Sequence, residues 1–154
     1  MKIKLCTLLF ILATSNAFAD LHANLLAVHN NRTQNESLGQ LTFTEDTHGI
    51  LITPKLHGLN PGLHALRYTV GKNCNAVLMK SSLNLPTTKP DPTFFPPFIA
   101  NQEGNVDSKI LANNLSFSAL NQKMIILYDI PTQYPDQQFP YFAGNIVACG
   151  VVSN

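Results

Sequence analysis

Short apolar or alternating segments recur along this chain, and glycines, prolines and polar residues separate them. The alternation is clearest where Leu41 and Phe43 are apolar while Thr42 and Thr44 are polar, which is typical of a strand with one buried face. No segment shows a sustained apolar period of 3.6 residues. The pattern therefore predicts an all-β protein, an antiparallel barrel or sandwich. Its strands are predicted at residues 25–30, 39–44, 50–56, 63–70, 106–111, 124–128 and 144–152.

Turn signals and proline-rich segments organise these strands. Residues 47–49, Thr-His-Gly, predict a hairpin between the second and third strands, and residues 60–62, Asn-Pro-Gly, favour a β-turn. Residues 75–98 contain five prolines and residues 130–142 contain three, so we expect two long irregular loops of the kind that often carries function. We find no internal repeat and no interdomain linker, which indicates a single domain.

The N-terminus has the three parts of a secretory signal peptide. Lys2 and Lys4 precede an apolar run, and residues 17–19, Ala-Phe-Ala, form a small-x-small ending. The run is too short to span a bilayer comfortably, and the alternative is a buried N-terminal helix. We expect residues 1–19 to be removed after Ala19, which leaves residues 20–154 as a mature domain in the periplasm or outside the cell.

Charge and cysteine content limit the possible partners of the mature chain and indicate how its cysteines are used. Removing Lys2 and Lys4 from ten basic residues leaves eight against nine acidic ones, without a basic cluster, so a nucleic-acid partner is not expected. Cys6 leaves with the signal peptide, and Cys74 and Cys149 remain. In an oxidising compartment their natural state is one disulfide, and a closed loop of this length is worth roughly 4.5 kcal/mol in the chain-entropy model.

Several motifs, in order along the chain, resemble the copper/zinc superoxide dismutases, in particular their bacterial periplasmic branch. They are residues 39–45 (GQLTFTE), 49–56 (GILITPKL), 60–64 (NPGLH), 99–104 (IANQEG) and 148–152 (ACGVV). The resemblance covers nearly all of the mature chain and implies a single Greek-key β-barrel. It also places Cys74 and Cys149 at the family's two disulfide cysteines.

The same resemblance implies a copper and a zinc ion, but their ligand positions are substituted. The two copper histidines of the 63–70 strand correspond to Arg67 and Thr69, and the late copper histidine corresponds to Tyr128. The arginine that guides superoxide corresponds to Ile146. Residues 75–98 should supply the shared and zinc histidines, yet they contain no histidine and only one carboxylate, Asp91. None of these positions keeps a metal-binding side chain, and the guanidinium of Arg67 also repels cations. We therefore predict no metal cofactor and no catalytic residue.

The histidines that remain have modest expected roles. His64 corresponds to a structural histidine of the family that does not bind metal, and the others are expected at the surface. A weak metal site formed by His22 and His29 is an alternative. Arg67, Tyr68, Thr69 and Tyr128 would form a polar nook for a small anion or a peptide carbonyl, unless Arg67 and Tyr128 merely fill the space of the metals.

The sequence therefore predicts a secreted or periplasmic protein of the dismutase type without metal or dismutase activity, and with a binding or structural role. A protein partner or a homodimer is compatible with this role, and no membrane span is expected in the mature chain. Two alternatives remain. One is an active dismutase with a relocated metal, and the other is a copper-handling protein that docks a true dismutase.

Overall fold

The computed structural model describes residues 20–30, 32–71, 73–74, 95–113, 115–130 and 144–154. Within these ranges the chain forms eight β-strands and one single-turn 3-10 helix, Phe117–Ala119. The strands are β1 Leu21–His29, β2 Arg32–Asp46, β3 Gly49–Leu56, β4 Gly62–Val70, β5 Phe98–Ala100, β6 Ile110–Ala112, β7 Lys123–Asp129 and β8 Asn145–Ser153. No helix in the described part of the chain is long and apolar enough to cross a membrane. The prediction of an all-β protein is confirmed.

All eight strands join in one antiparallel sheet in the order β5-β4-β7-β8-β1-β2-β3-β6, which curls into a nearly closed barrel. The chain steps from β3 on one side to β4 on the other, and later from β6 to β7, so the connections are of the Greek-key type. The predicted hairpin is confirmed, because Asp46 of β2 pairs with Gly49 of β3 across the turn.

The barrel encloses its main hydrophobic core. Leu41, Phe43 and Leu25 are completely buried there, and Thr42 and Thr44 are only partly covered, as the alternation predicts. Leu66, Leu127 and Ala148 carry the same core across β4, β7 and β8. Each such side chain leaves water almost completely, which contributes about 1.5–3 kcal/mol for a large aliphatic residue.

The connection from β5 to β6 is hydrogen-bonded to the end of β3 and to the residues that follow it. Val106 and Leu56 exchange backbone hydrogen bonds at 3.0 and 3.1 Å, and the Leu59 N–H donates to the Gly104 carbonyl at 3.1 Å. Gly104 has a φ of +77°, and a Cβ on it would lie 2.3 Å from the Leu59 carbonyl oxygen. Glycine is therefore required here both by the positive φ and by the close approach of the Leu59 backbone.

The predicted strands differ from the structure mainly at four places. β1 begins at Leu21 and β2 at Arg32, both earlier than predicted, and β5 was not predicted. The predicted strand at 106–111 is replaced by an isolated bridge at Val106 followed by β6. Most of the two predicted proline-rich loops, residues 75–94 and 131–143, lies outside the described residues.

Candidate functional site

Three neighbouring strands, β4, β7 and β8, turn one face towards the barrel interior and the other away from it. Side chains alternate along a strand, and directly paired residues share a face. Arg67 pairs with Ile126, which pairs with Cys149, and none of these three belongs to the main core. We call the face that carries them the outer face.

All four positions at which the family resemblance implies copper ligands or the guiding arginine lie on this outer face. Thr69 follows Arg67 by two residues on β4, and Tyr128 of β7 pairs with Ala65 of the same strand. Ile146 of β8 pairs directly with Tyr128. A bulge at β8, where the pairing shifts between Leu127 and Tyr128, brings Ile146 to this face.

The outer face is apolar at two of those positions. Tyr128 is completely buried, and Arg67, Thr69 and Ile146 are partly buried. A second hydrophobic cluster lies on this face and includes Tyr128 and Ile146. It consists of Val28, Ala65, Met124, Ile126, Tyr128 and Cys149, with Cys74, Ile130, Ile146 and Val151 packed against it.

This set of side chains does not fit a copper/zinc centre. Copper that cycles between two oxidation states is held in proteins by imidazole or sulfur ligands, and zinc by imidazole, thiolate or carboxylate. The outer-face positions offer a guanidinium, a hydroxyl, a phenol and an aliphatic side chain. The five histidines of the chain all lie in the described part, and no three His, Cys, Asp or Glu side chains come together there to hold a metal. Asp91 falls outside the described residues.

The polar nook expected from Arg67, Tyr68, Thr69 and Tyr128 does not form as predicted, because Tyr68 is on the opposite face of β4. Its ring packs against Phe95 with centroids 5.6 Å apart, at the edge of the main core. Strand alternation is the physical reason, since residues 67 and 69 share a face that residue 68 cannot reach.

The predicted disulfide between Cys74 and Cys149 is confirmed, with an S–S distance of 2.09 Å and Cα atoms 5.9 Å apart. Cys149 is completely buried in the middle of β8, next to Ile126. The bond thus attaches the chain just after β4 to the outer face of β8. It closes a loop of 75 residues in sequence.

His64 is completely buried on the inner side of β4, away from Arg67 and Thr69. Its Nε2–H donates to the Asn60 carbonyl at 2.9 Å, and its ring stacks on Phe98 with centroids 6.1 Å apart. Asn60 in turn donates from Nδ2 to a carboxylate oxygen of Asp129 at 2.9 Å. Nδ1 of His64 has no hydrogen-bond partner among the residues that the structure describes. This geometry anchors the turn before β4, which is a structural arrangement.

The remaining histidines are scattered. His29 and His57 are exposed, and Nδ1 of His22 lies 3.3 Å from Thr42 Oγ1. At the β2–β3 hairpin the His48 N–H donates to Asp46 Oδ1 at 2.9 Å. This backbone hydrogen bond, more than the side-chain bond and the charge of His48, holds the pKa of the Asp46 carboxyl below its ordinary value.

Comparison with known proteins gives one consistent result. The chain is 27% identical over 139 residues to superoxide dismutase [Cu-Zn] 1 of two Salmonella typhimurium strains, covering 76% of this chain and 78% of that protein. The fold matches the Cu/Zn superoxide dismutase from Brucella abortus with a TM-score of 0.69 at 18% identity, over 86% of this chain and 99% of that one. No protein-family model matches the chain.

A second solved structure agrees. The monomeric copper, zinc superoxide dismutase from Salmonella enterica matches with a TM-score of 0.68 at 19% identity, over 88% of this chain and all of that one. The fold thus defines a superoxide-dismutase-like Greek-key barrel protein. In both sequence and fold the chain is a relative of the copper/zinc superoxide dismutases, and the predicted resemblance is confirmed.

Sequence reasoning missed the partners of His64. Asn60 and Asp129 are 69 residues apart in sequence, and nothing in the motifs indicated that they meet. Phe98 was assigned to the end of a loop, whereas it begins β5 and stacks on the imidazole. The only local signal was the turn signal at residues 60–62, which places Asn60 close to the start of β4.

Proposed function

We propose that this chain is a secreted or periplasmic protein of the superoxide dismutase type that does not hold copper and zinc as a dismutase does and has no dismutase activity. Its role is then binding or structural, carried by the barrel and the disulfide. The observation that supports this proposal is the outer face, which carries Arg67, Thr69, Tyr128 and Ile146 and on which Tyr128 and Ile146 belong to an apolar cluster.

The chemistry of these side chains is the reason. Superoxide dismutation needs a metal that takes up and gives back an electron, and imidazole ligands keep copper bound in both oxidation states. The positive charge of Arg67 on this face opposes the approach of any cation, and a guanidinium does not lose its proton in proteins. An aliphatic side chain at residue 146 offers no charge that would steer an anion inward.

We also propose that residues 1–19 are a signal peptide that is cleaved after Ala19. The basic start, the short apolar run and the small-x-small ending support this. The intact mass of protein recovered from the periplasm after expression with its own leader would test it. A mass that corresponds to a chain starting at Asp20 is expected, and a mass that retains the leader would contradict it.

The loss of dismutase chemistry is tested by zinc content and activity. The mature protein is incubated with copper and zinc and freed of loosely bound metal, and the Salmonella typhimurium relative is treated identically as a control. We expect no stoichiometric zinc and no dismutase activity in this protein, whereas the relative should be active under the same assay. Activity comparable to that of the relative would contradict the proposal and favour a relocated metal.

A further inference from the structure

The first residues of the mature chain form a sequence with its own chemistry. Cleavage after Ala19 would make the nitrogen of Asp20 a free α-amine and would place His22 as the third residue. Leu21 between them carries a backbone N–H, as does His22, because neither is a proline. An amine, two backbone amides and an imidazole thus follow one another along a few bonds.

These four nitrogens have the spacing of a chelate. A metal bound to the amine and to the Leu21 nitrogen closes a five-membered ring, and the Leu21 and His22 nitrogens close a second one. The His22 nitrogen and Nδ1 of the same residue close a six-membered ring. Such fused rings hold four nitrogens in a plane, which is the arrangement that Cu(II) and Ni(II) prefer.

The structure leaves the required imidazole nitrogen weakly engaged. Nδ1 of His22 lies 3.3 Å from Thr42 Oγ1, which is beyond the usual length of a good hydrogen bond. The His22 side chain is only partly buried, and Asp20 is exposed. The Asp20 carboxylate accepts a hydrogen bond from Thr44 Oγ1 at 2.8 Å and adds a negative charge beside the amine.

The β-sheet competes with the metal for the backbone. Leu21 pairs with Phe43 and His22 pairs with Thr42 on β2, and His22 also pairs with Ser153 on β8. Successive N–H groups of a strand point in opposite directions, whereas a chelate needs both of these nitrogens on one metal. Residues 20–22 must therefore leave the sheet to bind, and the burial of Leu21, which is only 3% exposed, opposes that release.

We propose that the mature protein binds one Cu(II) or Ni(II) ion through the Asp20 amine, the deprotonated backbone nitrogens of Leu21 and His22, and Nδ1 of His22, with the start of β1 released from the sheet. Binding at neutral pH sets free one proton from the ammonium group and one from each of the two amides. The proposal rests on the cleavage after Ala19 but not on the loss of dismutase activity.

The test is a titration of the mature protein, whose start at Asp20 is first established by its intact mass, with a Cu(II) salt. We expect one equivalent to bind with the absorption and electron paramagnetic resonance spectra of a square-planar site of four nitrogens. His22→Ala should abolish these spectra. The sharper control is one glycine inserted before Asp20, which leaves every side chain in place but moves His22 to the fourth position and should also abolish them.

Competition with the sheet gives an independent readout. Leu21→Ala removes no ligand, because the ligand is the backbone nitrogen, but it weakens the start of β1. Cu(II) should therefore bind about ten- to a hundredfold more tightly to this variant, because releasing the start of β1 from the sheet no longer exposes the leucine side chain to water. His29→Ala should leave binding unchanged.

Three results would overturn the proposal: a mature chain that starts at another residue, no Cu(II) uptake by the parent, or uptake that survives the added glycine. Dismutase activity that persists in the His22→Ala variant would instead contradict the proposed function and leave this site untouched. The two proposals are thus separated by one variant and two assays.

Discussion

Tyr128 and Ile146 lie directly opposite each other on β7 and β8, at the bulge that shifts the pairing of these strands. The sequence resemblance predicts that these positions correspond to a copper histidine and to the arginine that guides superoxide in the dismutases. Here they form an aromatic–aliphatic pair within an apolar cluster. Such a cross-strand pair stabilises the sheet by roughly 0.2–1 kcal/mol relative to a pair of alanines.

The convergence on the outer face predicts that a copper site can be restored. Arg67→His, Thr69→His and Tyr128→His together, in a His22→Ala background, should produce Cu(II) binding with several nitrogen ligands, because rigid strands fix the three positions on one face. Dismutase activity should remain low, since the shared histidine is still absent and Ile146 does not steer the anion. The electron paramagnetic resonance spectrum of the copper-loaded variant is the measurement.

A matched control uses the neighbouring residue. Tyr68→His in place of Thr69→His puts the third imidazole on the inner face of β4, so this variant should bind Cu(II) clearly more weakly. Equal binding by the two triple variants, or none by either, would show that the outer-face positions do not converge.

Removal of the disulfide should destabilise the barrel without unfolding it. Cys74→Ala and Cys149→Ala together are expected to lower the free energy of unfolding by about 2–4 kcal/mol, because a long loop of the unfolded chain is no longer closed. Urea denaturation is the measurement, and the parent protein under reducing conditions should show a similar loss. An intact mass of the non-reduced parent that corresponds to two free thiols would contradict the assignment of this bond.

Two glycines separate backbone conformation from crowding. Gly58 and Gly104 have similar φ values, +71° and +77°, but only at Gly104 would a Cβ meet a backbone atom, the Leu59 carbonyl oxygen. Gly58→Ala should cost about 1 kcal/mol and Gly104→Ala about 2 kcal/mol more, measured by chemical denaturation. Equal losses of unfolding free energy at the two positions would mean that the backbone around Leu59 moves away from residue 104 without an energetic cost.

His64 should matter for stability and not for chemistry. His64→Ala is expected to reduce the free energy of unfolding by about 2–4 kcal/mol, because it opens a cavity beside Phe98 and leaves the Asn60 carbonyl without its donor. His57→Ala, at an exposed position, should change it by less than about 0.5 kcal/mol. A His64→Ala variant as stable as the parent would exclude an anchoring role.

The hairpin carboxylate gives a pH-dependent prediction. Because the pKa of Asp46 is lowered in the folded state, its contribution to stability is present at neutral pH and disappears as the pH falls through that pKa. The difference in stability between the parent and Asp46→Asn should therefore shrink on acidification. A carboxyl titration followed by NMR should also show that His48→Ala retains most of the lowering, since the backbone donor remains.

Local patterns made the β2–β3 hairpin predictable. The alternation of Leu41 and Phe43 with threonines and the turn at residues 47–49 indicated β2, β3 and their hairpin, and these elements are present. The same alternation could have excluded Tyr68 from the outer face, because residues 67 and 69 already occupy it.

The elements that were missed lack a local signal. The first half of β2, residues 32–37, is polar and forms a strand only because its backbone pairs with β1. β5 has three residues, of which Ile99 is 68% exposed, and it follows a proline-rich stretch. In both cases the strand forms because it pairs with a strand far away in the sequence. Such pairing has no local signature in a single sequence.

The separation of inner and outer faces on β4, β7 and β8 has a consequence for protein engineering. Leu66, Leu127 and Ala148 fill the barrel, whereas Arg67, Tyr128 and Ile146 point away from it on the same three strands. A designer could therefore replace the partly exposed Arg67 and Ile146 with new recognition residues, while Tyr128 stays buried and the first set continues to specify the architecture. Such a scaffold would offer a rigid three-stranded platform for ligands unrelated to superoxide.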